Sequence, residues 1–127
     1  ICFDYLPEYE INRELGKADL IVYPYQKSNE SSSAAVRNGL KSGSRIAVTP
    51  LDVFQDVEKI AFKFSAFSAK EFFSEIVKWH QSEISKSNQQ IKFDNQKTRD
   101  WLAQFDFQKI SVRLENMIEA IESNQII

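Results

Sequence analysis

The sequence predicts an α/β fold: a partial, parallel, Rossmann-like sheet of about four strands, flanked by helices and followed by C-terminal helices. Short continuous apolar runs alternate with helical patterns, which is typical of βαβ units and therefore of parallel strands. Two of the runs stop at a proline, which cannot continue the hydrogen bonding of a sheet. The last third of the chain carries apolar residues at helical spacing. We expect residues 1–127 to form a single domain.

The N-terminal elements begin with a strand pattern at Ile1–Phe3. Because the chain starts inside this pattern and has its only methionine at Met117, we expect it to be a fragment of a larger fold. Pro7 suits the first turn of a helix, and Gly16 suits its end in the left-handed conformation. Leu20–Tyr23 is a continuous apolar run, as expected for a strand that is buried on both faces.

The next elements continue the alternation of strands and helices. A helix should begin at the serines Ser31–Ser33 and end near Gly43. Arg45–Thr49 is the next predicted strand, and the acid-rich segment Leu51–Glu58 is predicted to be a loop. Apolar residues alternate over Ile60–Phe64, which indicates a further strand.

The remainder is predicted to be helical. Residues from Ala69 to about Ser85 form one amphipathic helix, whose apolar face includes Phe72, Phe73 and His80, and we expect Phe72 and Phe73 to be core residues. Ser87–Asn95 is polar and lacks periodicity, so it is predicted to be a loop. Asp94 or Asn95 then caps a short helix, and Asp106 caps the last helix. That last helix carries an apolar stripe made of Phe107, Ile110, Leu114, Met117, Ile118 and Ile121.

Composition limits the functions that the chain can have. The net charge of −2, with basic residues spread along the chain, gives no field that would attract nucleic acid. A single cysteine, Cys2, allows no internal disulfide and fits a reducing compartment. With one histidine, His80, the chain cannot build a Cys/His metal site. We expect His80, Trp79 and Trp101 to be packing residues. Asp52 and Asp56 lie near the expected ligand edge and are weak candidates for contact, with solvated acids as the default interpretation.

The loop after Tyr23 is the segment whose residues are best suited to bind a ligand. It leaves the carboxyl end of a strand and leads into a helix, whose first amides lack partners and can hold a phosphate. Ser31–Ser33 add hydroxyl donors, Arg37 lies one turn further along, and Glu30 suits sugar hydroxyls as an acceptor. The same residues also fit a simpler interpretation, in which the serines cap a helix, Glu30 complements its dipole and Arg37 pairs with an acid.

The residues around this loop form a longer pattern. It consists of the strand segment Ala18–Tyr25, the run Glu30–Arg37, then Gly43, and then the strand Ile46–Thr49. This pattern resembles the C-terminal domain of the GT-B fold glycosyltransferases. It is most similar to the large retaining family that includes many bacterial polysaccharide and lipopolysaccharide transferases, in which a Glu-x7-Glu motif lies on loop and helix. The resemblance covers the first half of the chain.

The resemblance implies a role for each of these positions. Glu30 matches the first motif glutamate, which contacts donor-sugar hydroxyls, and the serines match the step whose amides meet the diphosphate. Asn38 stands where the family has its second glutamate, which binds the ribose; an amide oxygen is a weaker acceptor than a carboxylate. The expected donor-binding residues are Tyr25, Glu30, Ser31, Ser32, Ser33, Arg37 and Asn38.

The resemblance also implies an activity. The full-length enzyme would be a hexosyltransferase that moves a sugar from a nucleotide-sugar donor to a glycan or lipid-linked acceptor. This chain would be a fragment of its donor-binding domain, with no catalytic residue of its own, no cofactor and no metal. The enzyme is expected in the cytoplasm, with peripheral association at the inner face of the membrane, and without a nucleic-acid partner.

Two other hypotheses remain open. The first is a non-catalytic, doubly wound binding module with a degenerate donor site, marked by Asn38. The second is a signalling domain of the response-regulator type. It fits less well because it needs an acidic cluster after the first strand, where only Asp4 is found.

Overall fold

The computed structural model describes residues 5–29 and 32–124, which form an α/β fold with a small parallel sheet and flanking helices. Two short 3-10 helices interrupt the chain, at Asp52–Val57 and at Ala103–Phe105. The other elements, in chain order, are α1 Glu8–Leu15, β1 Leu20–Tyr23, α2 Ala34–Lys41, β2 Arg45–Val48, β3 Phe62–Lys63, α3 Ala69–Ile84, α4 Asn88–Leu102 and α5 Phe107–Asn124.

The sheet confirms the predicted parallel arrangement. Its order is β1-β2-β3, with Tyr23 opposite Val48 and Val48 opposite Lys63, so the carboxyl ends of all three strands lie at one edge. The described residues hold three strands rather than about four. The strand predicted at residues 1–3 lies outside the described residues.

The hydrophobic core lies between the sheet, α2 and the first 3-10 helix. Val36 and Leu40 of α2 pack with Ile46 and Val48 of β2 in one buried cluster. The first 3-10 helix adds three more members to that cluster, Val53, Phe54 and Val57. The prediction of a loop at residues 51–58 was therefore wrong, because these apolar residues recur on one face that the core buries while the acids face outward.

Two glycines allow α2 to pack closely on its neighbours: Gly39 lies against β1, and Gly16 lies where the end of α1 meets the end of α2. A Cβ on Gly39 would lie 2.3 Å from the Tyr23 hydroxyl, so only glycine lets α2 pack this closely on β1. Gly16 has a φ of −65°, so the predicted left-handed end of α1 is wrong. A Cβ on Gly16 would instead lie 3.2 Å from the Ser42 carbonyl, where the ends of α1 and α2 meet. The left-handed residue is Gly43, with a φ of +85°, just after α2 as predicted for the helix end.

The secondary structure of the C-terminal region differs from the prediction at residues 87–95. Residues 87–95 were predicted to be a loop, but α4 begins at Asn88 because the Ser87 hydroxyl caps it by accepting from the Gln90 amide at 3.2 Å. Asp94 and Asn95 are therefore inside the helix and cap nothing. Asp106 does cap α5, since its carboxylate accepts from the Gln108 amide at 2.9 Å.

Most of the C-terminal apolar surface is exposed. Phe73, predicted to be a core residue, is 72% exposed, and His80 is exposed rather than packed. The predicted stripe of α5 forms, but all six of its residues are exposed, from Ile110 at 44% to Phe107 at 84%. Among the described residues, no helix is both long and apolar enough to cross a membrane.

Candidate functional site

The segment predicted to bind a ligand lies at the carboxyl edge of the sheet. β1 ends at Tyr23, and the chain returns to start α2 at Ala34, beside the end of β2. Ligands of open parallel sheets bind outside this edge. Ser33, the residue before α2, is 3% exposed, and its hydroxyl is 3.4 Å from that of Tyr25. The Tyr25 ring packs on the core residue Phe54, with ring centres 5.3 Å apart, so the loop is held at this position by the core.

A tyrosine of β1 fixes the first turn of α2. The Tyr23 hydroxyl donates a hydrogen bond to the Ala35 carbonyl at 2.7 Å. Burial of this phenol raises its pKa above the ordinary value of 10.0, and the neighbouring Tyr25 adds to the shift. Tyr23 therefore stays a neutral hydrogen-bond donor at physiological pH, and the N-terminus of α2 keeps a fixed position over the sheet.

Arg37 is held by an acid and by two aromatic rings. Its Nη2 is 2.5 Å from Asp56 Oδ2, on the first 3-10 helix. Its guanidinium carbon lies 5.9 Å from the ring centre of Trp101 and 5.2 Å from that of Phe105, within the range of cation–π attraction. The Trp101 indole donates to the Asp56 carbonyl at 2.9 Å. This Arg37 cluster, made of Arg37, Asp56, Trp101 and Phe105, joins α2 to the end of α4.

A buried hydroxyl lies at the end of the central strand. Thr49 directly follows β2 and is fully buried, and its Oγ1 has no hydrogen-bond partner among the described residues. A buried polar atom without a partner is uncommon and costs stability. Thr49 is the residue at which the predicted second strand of the donor pattern ends.

The structure brings together part of the predicted donor-binding set. Ser33 and Tyr25 are in contact, and Arg37 reaches back to the Ser33 carbonyl, with Nη1 at 3.5 Å. Ser32 and Asn38 are partly exposed near the same helix start. Glu30 and Ser31, on which the sugar contact and part of the phosphate contact depend, lie outside the described residues.

Two contacts of the Arg37 cluster were not predicted. Asp56 was expected by default to be solvated, but it pairs with Arg37. Trp101 packs against the core as predicted, and in addition it contacts Arg37 and donates to the Asp56 carbonyl. The apolar pattern of Val53, Phe54 and Val57 could have indicated that Asp56 sits on a fixed helical turn. Nothing in the sequence indicates the contact with Trp101, which lies 45 residues further along the chain.

The opposite, amino edge of the sheet carries an ionic network. Lys86 bonds to both Glu83 and Asp94, and Arg45 of β2 lies 3.6 Å from Glu83. These residues line a cavity of about 260 Å³ between the sheet, α3 and α4. Hydrogen bonds from Lys86 and then Gln90 lower the pKa of Asp94 more than burial raises it. The network connects α3 and α4 to β2, away from the strand ends that ligands use.

Comparison with protein-family models, with curated proteins and with solved structures gives no match to this chain. In the part of the chain that the structure describes, no three histidine, cysteine or acidic side chains come together in a group that could hold a metal ion.

Proposed function

We propose that this chain is part of the donor-binding domain of a GT-B type glycosyltransferase and that it binds the diphosphate of a nucleotide sugar at the start of α2. The observation that carries the proposal is the position of the Ser33 end of α2. This end lies at the carboxyl edge of a parallel sheet and is fixed there by the Tyr23 and Tyr25 hydroxyls. The free amides of such a helix start attract phosphate oxygens.

The remaining donor contacts follow from the resemblance. Glu30 would accept hydrogen bonds from hydroxyls of the sugar, and Asn38 would contact the ribose. The transfer itself would need groups outside this chain, and the glycan or lipid-linked acceptor would bind there. The full-length enzyme would act in the cytoplasm, peripherally at the membrane face.

A non-catalytic binding module is the second candidate. Two observations favour it: Asn38 replaces the expected carboxylate, and Arg37 is already paired with Asp56. Such a module could still bind a nucleoside diphosphate but would transfer no sugar. Incubation of the full-length protein with nucleotide sugars, with release of nucleoside diphosphate as the readout, distinguishes the two candidates.

Calorimetric titration of the full-length protein with nucleoside diphosphates and with the matching nucleotide sugars tests the proposal. The Glu30→Ala variant should bind the sugar-bearing ligands about tenfold or more weakly, because it loses one or two hydrogen bonds to a charged acceptor. It should bind the free diphosphates nearly as well as wild type does.

The Glu115→Ala variant is a matched control, since it removes an exposed carboxylate of α5, far along the chain from the loop. It should bind every ligand as wild type does. Absence of binding by the wild-type full-length protein to all the nucleotides would contradict the proposal.

A further inference from the structure

The Arg37 guanidinium contacts both the first turn of α2 and a carboxylate on another element. Its Nη1 is 3.5 Å from the carbonyl oxygen of Ser33, the residue before α2. Its Nη2 is 2.5 Å from Asp56 Oδ2. The cation therefore lies within one helical turn of the proposed phosphate site, and its charge is compensated by Asp56.

Asp56 is held in place independently of Arg37. It lies on the 3-10 helix whose Val53, Phe54 and Val57 are in the core, and its carbonyl accepts from the Trp101 indole at 2.9 Å. The carboxylate would therefore stay near its present position if the guanidinium moved away. Arg37, by contrast, has a long side chain that can change rotamer.

The ion pair is weak enough to be exchanged. The Arg37 and Asp56 side chains are 25% and 32% exposed, so solvent screens their attraction. Pairs of this kind change an equilibrium constant by about fivefold at most. A diphosphate offers a higher charge and more acceptor oxygens than one carboxylate, and arginine binds phosphate in a bidentate manner.

We propose that Asp56 is an internal counter-anion that competes with the phosphate groups of the ligand for Arg37. A nucleoside diphosphate at the start of α2 draws the guanidinium away from Asp56, and loss of the ligand returns it. The rings of Trp101 and Phe105 stay beside the arginine path and give the free state a defined position for the cation. This inference rests on the proposed function, because the competing anion is the donor diphosphate.

The test compares Asp56→Asn with Asp52→Asn in the full-length protein. Asp52 begins the same 3-10 helix and is exposed, so its variant removes the same charge without changing the partner of Arg37. The probes are UDP, GDP, ADP, CDP and inorganic pyrophosphate, titrated by calorimetry. We expect Asp56→Asn to lower the Kd of the best probe about three- to fivefold, and Asp52→Asn to leave it within about twofold.

A double-mutant cycle assigns the gain to Arg37. The effect of Asp56→Asn should vanish when it is combined with Arg37→Met, because no cation remains to be released. An equal or higher Kd in Asp56→Asn, or the same gain in the Arg37→Met background, would overturn the inference while leaving the proposed function intact. Absence of binding by wild type and by every variant would contradict both.

A second readout needs no change at Asp56. The difference in emission between the full-length protein and its Trp101→Phe variant isolates the emission of Trp101, which reports on the guanidinium beside it. Saturating pyrophosphate should shift this emission, because the cation leaves the ring, and the shift should be absent in the Arg37→Met variant. An unchanged emission at a pyrophosphate concentration that calorimetry shows to be saturating would count against the exchange.

Discussion

The sheet region and the C-terminal helices both contain amphipathic helices, but the apolar faces are buried in the first region and largely exposed in the second. In the region from β1 to β3, Val36 and Leu40 of α2 and the apolar residues of the first 3-10 helix are almost fully buried in the cluster that includes β2. In α3 and α4, no described residue is fully buried, and the stripe of α5 faces outward. Since burial of apolar surface supplies most folding energy, stability should be concentrated in the first region. The pattern alone indicates a helix, but it does not indicate what covers it.

The largest expected difference separates two phenylalanines. Phe54 is 2% exposed in the core cluster, whereas Phe107 is 84% exposed on α5. Phe54→Ala should lower the free energy of unfolding by about 3–5 kcal/mol, the usual cost of emptying a core site of this size. Phe107→Ala should change it by less than about 0.5 kcal/mol. Urea denaturation of both variants tests this, and equal losses would contradict the division into two regions.

Gly39 offers a sharper test of the packing between α2 and β1. A Cβ there would lie 2.3 Å from the Tyr23 hydroxyl and would displace the bond from that hydroxyl to the Ala35 carbonyl. Gly39→Ala should cost about 1–3 kcal/mol, despite the better helix propensity of alanine. In a Tyr23→Phe background the clashing oxygen is gone, and the nearest remaining atom is the ring carbon Cζ at 3.3 Å.

The same substitution should therefore cost clearly less in the Tyr23→Phe background, because only the clash with the oxygen has been removed. A double-mutant cycle measured by thermal unfolding shows whether the two residues are coupled. Additive effects of the two substitutions would contradict the assigned contact.

A smaller effect is expected at the start of α3. The Ser68 hydroxyl accepts from the Glu71 amide at 3.3 Å and donates to the Glu71 carboxylate, so it caps the start of the helix. Ser68→Ala should lower the free energy of unfolding by about 1 kcal/mol, whereas Ser74→Ala in the middle of the same helix should be neutral or slightly stabilising. Helix content and denaturation curves of the two variants provide the comparison. Equal effects would show that the cap does not operate.

The smallest effect concerns the ionic network at the amino edge of the sheet. Hydrogen bonding to Lys86 lowers the pKa of Asp94 in the folded state below the ordinary 3.8. Asp94 therefore contributes stability that is fully present above pH 3.8 and is lost as pH falls through its lower, folded-state pKa. The contribution should be about 1 kcal/mol or less, because the side chains are partly exposed. Asp94→Asn should remove this part of the acid-induced loss, as measured by denaturation from pH 5 to pH 2.

Sequence reasoning succeeded where local signals and long-range contacts agree. The strand Leu20–Tyr23, the helix after Ser33 and the parallel arrangement follow from apolar runs and prolines that lie close together in the sequence, although the Ser33 side chain makes no capping hydrogen bond. It failed at Ser87–Asn95, because one capping serine outweighs the missing apolar period there. It also failed at Phe73, where a clear apolar face has no covering element among the described residues.

The candidate site could be only partly predicted for the same reason. The helix start at Ser33 is a local feature and was recognised, but the partner of Arg37 depends on distant segments. Arg37 and Asp56, which form an ion pair, are 19 residues apart in the sequence. Asp56 and Trp101, which are joined by a hydrogen bond, are 45 residues apart. Such contacts arise only when the 3-10 helix and the end of α4 pack together on α2. A sequence pattern shows which acidic side chains are available, but it does not show which of them pairs with Arg37 in the folded chain.

The most direct test of the central claim is to locate the bound phosphate by NMR. A 15N-labelled sample of the full-length protein is titrated with the nucleoside diphosphate that binds best in calorimetry, and the amide shifts are mapped onto the chain. We expect the largest shifts at Ser33, Ala34 and Ala35, because their amides form the free start of α2, and none along α5. Shifts confined to the amino-edge cavity around Lys86, or spread along α5, would contradict a phosphate site at the start of α2.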